Sequence, residues 1–442
     1  MRAYRTEVKL NKEQEQLYKL CIAAQRFVWN LFIEENEKSK KYINDYNFSK
    51  WLNNVYLKEN EEKSWIKKAG SKALSHTLRK CHQTYVKAFK AKRGFPKKKN
   101  CKTFNEGYYF VRNSLNTPIK VERHKIKVPM FGWVTLKEKG YLPLEGIISG
   151  TIKKRADRYF ISVITEENPI IFQNNSGEGV GVDLGVKEFM TCSNGFVFPN
   201  IIKSPKIIKL EKKLRREQRA LSRKYEAHKK DKELTYKNFE KNKLRVQKLN
   251  YRLECKRNDY INKCIEIIVE QKPKFITLEN LNIKGMVKNK HLAKAIRDSK
   301  FYYTKQKIIE KAKKNGIEVR EVERFYPSSK ICSKCGKLKK DLKLKDRTYK
   351  CSCGLEIDRD LNAALNLKKA KEYKVLTETT DGLSGSNDCE VLYQTAVAIQ
   401  PLIESEAEHG EAVRSHFILM NTIEPKRNLL IKRYNSVLGK CI

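Results

Sequence analysis

The sequence has few histidines, few tryptophans and few acidic residues, and it contains no long apolar run. Its 442 residues include only 7 His and 4 Trp, and 51 Asp and Glu stand against 94 Lys and Arg. No apolar segment approaches the roughly 18 residues of a membrane-spanning helix, and residues 1–10 mix Arg, Glu and Lys where a signal peptide would be apolar. The sequence therefore predicts no membrane partner and a cytoplasmic, nucleoid-associated location.

Two common catalytic motifs are also missing. No Gly-rich segment ends in Gly-Lys-Ser or Gly-Lys-Thr, which argues against an ATP-driven motor. None of the few histidines lies in a recognisable nucleophile motif, so a Ser/His/Asp hydrolase is not indicated. No Tyr or Ser is placed convincingly for covalent strand transfer, which makes a transposase of that kind the least favoured class.

The dominant feature that is present is positive charge. The net charge is +43, and residues 371–442, with 8 basic and 10 acidic side chains, contribute −2 of it. Residues 1–370 thus carry +45, a surplus that favours a polyanionic partner, with nucleic acid as the first candidate. The hydrophobic content of 40% is high enough for several folded cores. The tail at 373–442 is predicted to be mostly disordered.

The apolar pattern predicts a strand-rich domain with a helical insertion, followed by a mixed α/β domain. Residues 4–10 alternate like a strand, Asn11 is a plausible helix N-cap, and helical spacing continues to about residue 89. Between 103 and 165 short strand patterns follow, such as those at 108–111, 126–128, 134–136 and 159–164. Further strands are predicted at 180–186, 189–192, 196–198, 275–278 and 317–322, with helical patterns at 206–270 and 301–315. This order fits a mixed sheet with helices on its faces.

Three carboxylates occupy positions that suit a metal-dependent nuclease. Asp183 lies in an otherwise apolar strand, Glu279 ends the strand at 275–278, and Asp360 opens an Ala-rich helix. Parallel neighbouring strands would bring Asp183 and Glu279 together, and hard oxygen ligands favour Mg²⁺ or Mn²⁺. Taken singly, the three residues are equally compatible with a turn, a strand end and a helix N-cap, so their spacing alone leaves both interpretations open.

Four of the twelve cysteines form a metal-binding pattern. Cys332 and Cys335 are separated by two residues, and Cys351 and Cys353 follow after 15 more residues. Two such knuckles predict tetrahedral Zn²⁺ in a structural ribbon, because four protein ligands leave no open position. The Cys-x-Cys spacing of the second knuckle is a mild departure, and four reduced thiols without metal are the alternative. The other eight cysteines are isolated and are interpreted as ordinary reduced thiols.

Four motifs give the sequence a specific resemblance. They are Gly-Val-Asp-Leu-Gly-Val-Lys at 181–187, Leu-Glu-Asn-Leu-Asn-Ile-Lys-Gly-Met at 278–286, Pro-Ser-Ser-Lys-Ile-Cys-Ser-Lys-Cys-Gly at 327–336 and Ile-Asp-Arg-Asp-Leu-Asn-Ala-Ala-Leu-Asn at 357–366. In this order they resemble the TnpB (OrfB) proteins of insertion sequences and the miniature type V CRISPR effectors related to them. The resemblance covers about residues 1–370.

The resemblance implies a fold with defined segments. It implies an RNase H-like (RuvC) mixed-sheet nuclease domain with an inserted zinc ribbon, preceded by a β-barrel wedge domain that carries a helical insertion. The segments are the wedge domain at 1–10 and 96–172, the helical recognition domain at 11–95, the RuvC-like domain at 178–325 with its last helix at 358–372, the zinc ribbon at 326–357, and the tail at 373–442.

The resemblance also implies a function. By motif, Asp183, Glu279 and Asp360 become the Mg²⁺ or Mn²⁺ ligands, with Asp358 as the alternative to Asp360. A guide RNA would direct cleavage of double-stranded target DNA beside a short motif. A nuclease-inactive RNA-guided regulator, a CRISPR-associated effector and a guide-free junction nuclease remain alternatives, although the long near-neutral tail favours an insertion-sequence protein. Whether the protein is a monomer or a homodimer stays open.

Two basic segments are candidate nucleic-acid contacts. Residues 87–99 mix cations and aromatic residues, a composition suited to phosphates and stacked bases. The predicted contacts in this segment are Lys87, Lys90, Lys92, Arg93, Lys97, Lys98 and Lys99. The alternative is a solvated interdomain loop. The stretch 212–252 has a similar choice between a helix along a nucleic-acid duplex and a charge-covered structural helix.

Overall fold

A computed structural model of the chain describes residues 2–39, 41–91, 94–101, 103–112, 118–166, 175, 177–230, 236–343 and 346–376. These residues form two compact units that divide between positions 168 and 169. The prediction of a disordered tail falls almost wholly on residues 377–442, which lie outside the described residues.

The first unit begins with strand β1 (Arg2–Lys9), and four helices follow it. They are α1 (Lys12–Lys38), α2 (Asp45–Trp51), α3 (Leu57–Glu59) and α4 (Ser71–Ala91), with a π-helical turn at Leu52–Tyr56 and a 3₁₀ helix at Glu61–Ala69. Asn11 caps α1 as predicted. Its side chain accepts from the backbone N–H of Gln14 at 2.7 Å, and the Gln14 side chain accepts from the Asn11 N–H at 3.1 Å. This reciprocal pair satisfies two N–H groups that an uncapped helix leaves free.

The sheet of the first unit is antiparallel and has six strands. After β1 come β2 (Tyr108–Val111), β3 (Lys125–Val128), β4 (Gly132–Leu136), β5 (Ile147–Arg155) and β6 (Arg158–Thr165). The spatial order is β2-β5-β6-β1-β4-β3, which places the N-terminal strand inside the sheet. Because β2 and β3 are the two edges of the sheet in the described part of the chain, closure into a barrel remains a prediction.

The second unit combines a mixed sheet with a small hairpin. Its strands are β7 (Val180–Leu184), β8 (Glu188–Cys192), β9 (Val197–Pro199), β10 (Phe275–Leu278), β11 (Glu318–Glu321), β12 (Thr348–Lys350), β13 (Glu356–Asp358) and β14 (Lys374–Val375). The large sheet has the order β14-β11-β10-β7-β8-β9, and β12 pairs with β13 alone. Strands β7, β10 and β11 run parallel, whereas β8 and β9 form an antiparallel meander from β7. The predicted mixed α/β architecture is confirmed.

The helices of the second unit are α5 (Pro205–Lys230), α6 (Tyr236–Val269), α7 (Ile283–Met286), α8 (Ala293–Ser299), α9 (Phe301–Lys314) and α10 (Arg359–Lys369). Helices α6 and α10 pack on opposite faces of the large sheet. Val180 and Val182 of β7 join a core with Ile261 and Ile265 of α6. Since successive side chains of a strand point to opposite faces, Gly181 and Asp183 face the other side. That side is the one against which α10 packs, as the surroundings of Gly181 show.

Candidate active site and zinc ribbon

Asp183 and Glu279 lie at the ends of two neighbouring parallel strands. Leu278 of β10 pairs with Val182 of β7, so the next residue of each strand falls at the same level. In parallel strands such neighbours point to the same face. The register therefore brings the Asp183 and Glu279 carboxylates side by side, as the sequence predicted for two parallel strands.

Gly181 allows the helix that carries Asp360 to pack directly on β7. A Cβ atom at Gly181 would lie 2.0 Å from the carbonyl oxygen of Ala364 and 2.5 Å from the backbone nitrogen of Lys368. Only glycine accommodates this contact, because no real Cβ atom comes so near to backbone atoms. Asp360 lies one helical turn before Ala364 and thus on the same face of α10. The close approach of the helix brings Asp360 to the end of β7.

Asp358 has a different role from Asp360. Its side chain caps α10 by accepting hydrogen bonds from the backbone N–H groups of Asp360, at 2.9 Å, and Leu361, at 3.1 Å. The sequence left open that Asp360 is the N-cap, and the structure gives that role to Asp358. Asp360 instead lies in the first helical turn, which leaves its carboxylate outside the cap.

The three carboxylates influence one another electrostatically. Burial, followed by the negative charges of Glu279 and Asp360, raises the pKa of Asp183 well above its ordinary value. Burial also raises the pKa of Glu279, while the Ser328 hydroxyl and the positive charge of Arg359 lower it. Clustered, desolvated carboxylates favour protonation unless a cation neutralises them. The arrangement thus suits a divalent cation.

The four cysteines converge more tightly than the carboxylates do. In the part of the chain that the structure describes, they are the one group of three or more metal-ligating side chains that meets around a single ion position, with all four sulfurs within 4.8 Å of one another. The Cys332–Cys353 and Cys335–Cys351 Sγ atoms are each 3.6 Å apart. Four thiolates arranged tetrahedrally about 2.3 Å from one Zn²⁺ have sulfur atoms about 3.8 Å apart, which is close to the observed spacing. The predicted zinc ligands are brought together.

The polypeptide around the cysteines is a small β-ribbon. Gly336 and Gly354 follow the two knuckles with φ angles of 76° and 83°, which lie in the left-handed region that favours glycine. Tyr349 of β12 is fully buried in the ribbon, and its hydroxyl donates to the carbonyl of Lys330 at 3.1 Å. Tyr349, Leu342 and Cys332 are the buried residues of this core, which is therefore very small. A bound metal would supply stability that so small a core lacks.

Sequence reasoning missed Ser328 and Arg359. Ser328 donates a hydrogen bond to Oε1 of Glu279 across 49 positions of sequence. Arg359 places its charge near Asp183 and Glu279 while its guanidinium donates to the carbonyl of Lys343 at 3.0 Å. Both residues lie inside motifs that were noted for their cysteines and aspartates, and only their position beside those residues could have indicated a role.

The predicted basic contacts divide into exposed and engaged side chains. Lys87, Lys90 and Lys97 are exposed, whereas Lys92 and Arg93 lie outside the described residues. Lys98 pairs with Glu34 at 3.4 Å. Lys99 is half-buried, with its ammonium 3.7 Å from the centre of the Trp29 ring, and its burial lowers its pKa. The first three lysines are therefore the ones free to meet a phosphate backbone.

The second basic segment presents arginines along α5. Its exposed side chains include Arg215, Arg216, Arg219 and Arg223. The acidic Glu211 of the same helix bonds inward, to Arg257 at 2.8 Å and to Lys294 at 2.7 Å. With Glu211 engaged toward the protein and these arginines exposed to solvent, this part of α5 presents a strongly basic face.

Three family models match the chain. The OrfB_IS605 model, described as "Probable transposase", matches residues 162–290. A model described as "Cas12f1-like, TNB domain" matches residues 301–367, and HTH_OrfB_IS605, described as "Helix-turn-helix domain", matches residues 1–41. These matches confirm the resemblance to the TnpB (OrfB) proteins of insertion sequences. Within residues 2–39 the chain forms one strand and one helix, β1 and α1.

Curated relatives and a solved structure are also similar to this chain. "Putative RNA-guided DNA endonuclease InsQ" of Escherichia coli (strain K12) is 26% identical over 391 residues, which are 84% of this chain and 92% of the relative. "Putative RNA-guided DNA endonuclease" of Streptomyces pristinaespiralis is 26% identical over 71% of this chain and 74% of its own length. A CRISPR-Cas12f ternary complex is 19% identical with a TM-score of 0.35, covering 83% of both chains.

Among the residues that the structure describes, none of the helices combines the length and the apolar character needed to cross a bilayer.

Proposed function

We propose that the protein is an RNA-guided DNA endonuclease of an insertion sequence, which hydrolyses phosphodiester bonds of target DNA next to a short motif in a metal-dependent reaction. The observation that carries the proposal is the pair of desolvated carboxylates Asp183 and Glu279 at the ends of β7 and β10, with the charge of Asp360 brought near them by α10. Similarity to relatives named RNA-guided DNA endonucleases over most of the chain supports it.

The residues fit hard divalent cations. Carboxylate oxygens are ligands that Mg²⁺ and Mn²⁺ prefer, and the raised pKa values of Asp183 and Glu279 reflect negative charge that a cation would stabilise. Two bound ions would activate the attacking water and stabilise the leaving oxygen. Asp183 and Glu279 would hold the ions from the rigid sheet, and Asp360 from the first turn of α10.

The remaining residues of the site would orient it. Arg359 offsets part of the negative charge around Asp183 and Glu279, which reduces their mutual repulsion. The same arginine offers a guanidinium for a phosphate oxygen, a pairing that the planar fork makes well. Zn²⁺ bound by Cys332, Cys335, Cys351 and Cys353 would be structural, since all four coordination positions would be filled by the protein.

The architecture supports the predicted domains. The order β9-β8-β7-β10-β11, with a meander and then parallel strands, supports an RNase H-like (RuvC) domain at 178–325 that α10 completes at 358–372. We assign the zinc ribbon to 326–357, the helical recognition domain to 11–95, and the wedge domain, with its six-stranded sheet, to 1–10 and 96–172. We place the activity in the cytoplasm at the nucleoid.

A guide RNA and double-stranded target DNA are the proposed partners. The exposed Lys87, Lys90 and Lys97 and the exposed arginines of α5 supply positive charge for phosphates. Base pairing with the guide would read the target sequence, while the protein would contact the backbone and the short motif.

The proposal is tested with Asp183→Ala in the RNA-bound full chain. We expect the variant to bind guide RNA and target DNA like the parent and to lose Mg²⁺-dependent cleavage, by at least about 10³-fold, because the ion loses a ligand fixed on the sheet. Asp341→Ala, at an exposed position of the ribbon, is the control and should cleave normally. Cleavage by Asp183→Ala at the parental rate would refute the site.

Sequencing the RNA that co-purifies with the protein separates the alternatives. An RNA encoded beside the gene and required for cleavage supports the guided nuclease. Cleavage of branched DNA without RNA would indicate a junction nuclease, and RNA-dependent binding without cleavage by the parent would indicate a regulator.

A further inference from the structure

Ser328 joins the candidate active site to the zinc ribbon. It is 5% exposed and lies in the segment between β11 and the first zinc knuckle. Its hydroxyl donates to Oε1 of Glu279, the residue that follows β10. A donor at one oxygen leaves the second carboxylate oxygen, Oε2, for an ion, and it fixes the rotation of the carboxylate plane.

The backbone of Ser328 is itself held by α10. The side-chain amide of Asn366 donates to the carbonyl of Ser328 at 2.7 Å and to the carbonyl of Ile331 at 2.6 Å. Asn366 is 3% exposed, so these hydrogen bonds are shielded from water. The hydroxyl that contacts Glu279 is therefore presented by a segment fastened to the helix of Asp360.

A second asparagine fastens the zinc knuckle to the same helix. The Asn362 amide donates to the carbonyl of Ile331 at 2.7 Å, and its carbonyl oxygen accepts from the backbone N–H of Ser333 at 3.0 Å. Ile331 and Ser333 flank Cys332, the first predicted zinc ligand. One fully buried side chain thus holds both neighbours of that ligand.

We propose that Ser328 is a positioning residue for Glu279, and that it transmits the placement of the zinc knuckle to the nuclease site. The proposal rests on the proposed function, because it assigns Glu279 to the divalent-ion site. Without the hydroxyl, Glu279 loses a donor that orients its carboxylate beside Asp183 and Asp360, both of which repel it. Losing a hydrogen bond that orients a metal ligand typically weakens metal binding about 10- to 100-fold.

The test compares Ser328→Ala, Ser328→Thr and Ser352→Ala in the full chain freed of nucleic acid. Mn²⁺ binding is measured by electron paramagnetic resonance, and only the binding that is lost in Asp183→Ala is assigned to the candidate active site. Zinc content is measured by mass spectrometry. We expect Ser328→Ala to weaken Mn²⁺ binding about 10-fold with its zinc retained, and Ser328→Thr to restore most of the affinity because it restores a hydroxyl. Ser352, exposed in the ribbon and 3.3 Å from Lys337, is the matched control and should have no effect.

Cleavage by the RNA-bound variants gives an independent readout. The Mg²⁺ concentration for half-maximal cleavage should rise in Ser328→Ala, with unchanged affinity for target DNA. Parental Mn²⁺ affinity in Ser328→Ala would overturn the proposal, as would equal losses in Ser328→Ala and Ser328→Thr. Loss of zinc from Ser328→Ala would also overturn it, by showing that Ser328 only folds the ribbon. If the parent cleaves normally and Ser328→Ala is unaffected, the positioning role of Ser328 is wrong and the proposed nuclease function stands. If the parent has no Mn²⁺ site that depends on Asp183, both the positioning role and the proposed nuclease site are wrong.

Discussion

At the scale of single residues, Asp183 affects both the stability of the folded chain and the proposed binding of a divalent ion. Burial and two neighbouring carboxylates raise its pKa, so the folded chain without a divalent ion retains a proton that the unfolded chain releases at lower pH. A raised pKa in the folded state stabilises the protein fully below the unfolded-state pKa, and this contribution is lost as the pH rises through the folded-state pKa. A bound cation would reverse this loss.

A neutral isostere isolates this effect. We expect Asp183→Asn to reduce the fall in metal-free stability as the pH is raised, and to make the metal-free chain more stable than the parent by about 1 kcal/mol above neutral pH. Thermal unfolding of both chains across a pH series, with a chelator or with Mg²⁺, measures it. Mg²⁺ should raise the Tm of the parent and leave that of the variant unchanged.

Asp341→Asn provides the control, because Asp341 is exposed and its substitution should alter neither the pH dependence nor the response to Mg²⁺. An Asp183→Asn chain whose metal-free stability followed the parental pH dependence would show that Asp183 is not the residue that titrates.

Single residues also show which parts of the site can be predicted from sequence and which cannot. Asp183, Glu279 and Asp360 could be proposed because acids beside apolar strands and at a helix start are visible in the sequence. Ser328 could not, since its partner Glu279 lies 49 positions away and the hydrogen bond depends on the packing of the ribbon. The sequence also could not decide which of Asp358 and Asp360 caps α10, because both lie at the start of the same helical pattern.

At the scale of elements, the contact between β7 and α10 determines the site. The backbone of α10 lies directly on Gly181, and any side chain there would push the helix outward. Ala364, whose carbonyl oxygen lies at this contact, is fully buried, so small residues on both elements allow the close approach. The distance from Asp360 to Asp183 therefore depends on a residue that has no side chain.

Gly181→Ala should separate these two elements. We expect a loss of about 3 kcal/mol in the free energy of unfolding, because overpacking a rigid contact forces backbone shifts, together with loss of Mg²⁺-dependent cleavage. Denaturant unfolding and a cleavage assay measure the two effects. Gly94→Ala is the matched control, since nothing lies within 4 Å of a Cβ at Gly94, and it should change neither. Normal cleavage by Gly181→Ala would contradict the role given to this contact.

The regular elements followed the sequence pattern wherever it was continuous. The strands at Tyr108–Val111 and Phe275–Leu278 have the predicted bounds, and the predicted helical region 206–270 contains two helices, α5 and α6. Strand β5 was missed. Gly150 interrupts the alternation of apolar and polar residues in β5, and in the sequence a glycine there suggests a turn. In the structure a Cβ atom at this position would lie 2.4 Å from the Phe110 ring, so the glycine is required by a tertiary contact.

At the scale of the whole molecule, charge is the property that composition predicts best. The fold then determines which basic side chains are paired with acids and which are exposed. Some of the 94 basic side chains are paired with acids, as Lys307 and Lys314 are with Glu310. Other cations, including Lys87 and Lys90 on α4, are exposed. Only the second kind can displace counterions from a nucleic acid, so equal changes in net charge should have unequal effects on binding.

Paired double variants test this distinction. We expect Lys87→Gln with Lys90→Gln to weaken guide RNA or target DNA binding, and to reduce the slope of log affinity against log salt concentration by about 1.5, because roughly 0.7 to 0.9 counterions are released per neutralised phosphate. Fluorescence anisotropy over a salt series measures the slope. Lys307→Gln with Lys314→Gln removes the same two charges from lysines paired with Glu310 and should leave the slope nearly unchanged. Equal slopes for the two double variants would mean that the net charge of the molecule, and not the α4 lysines, governs binding.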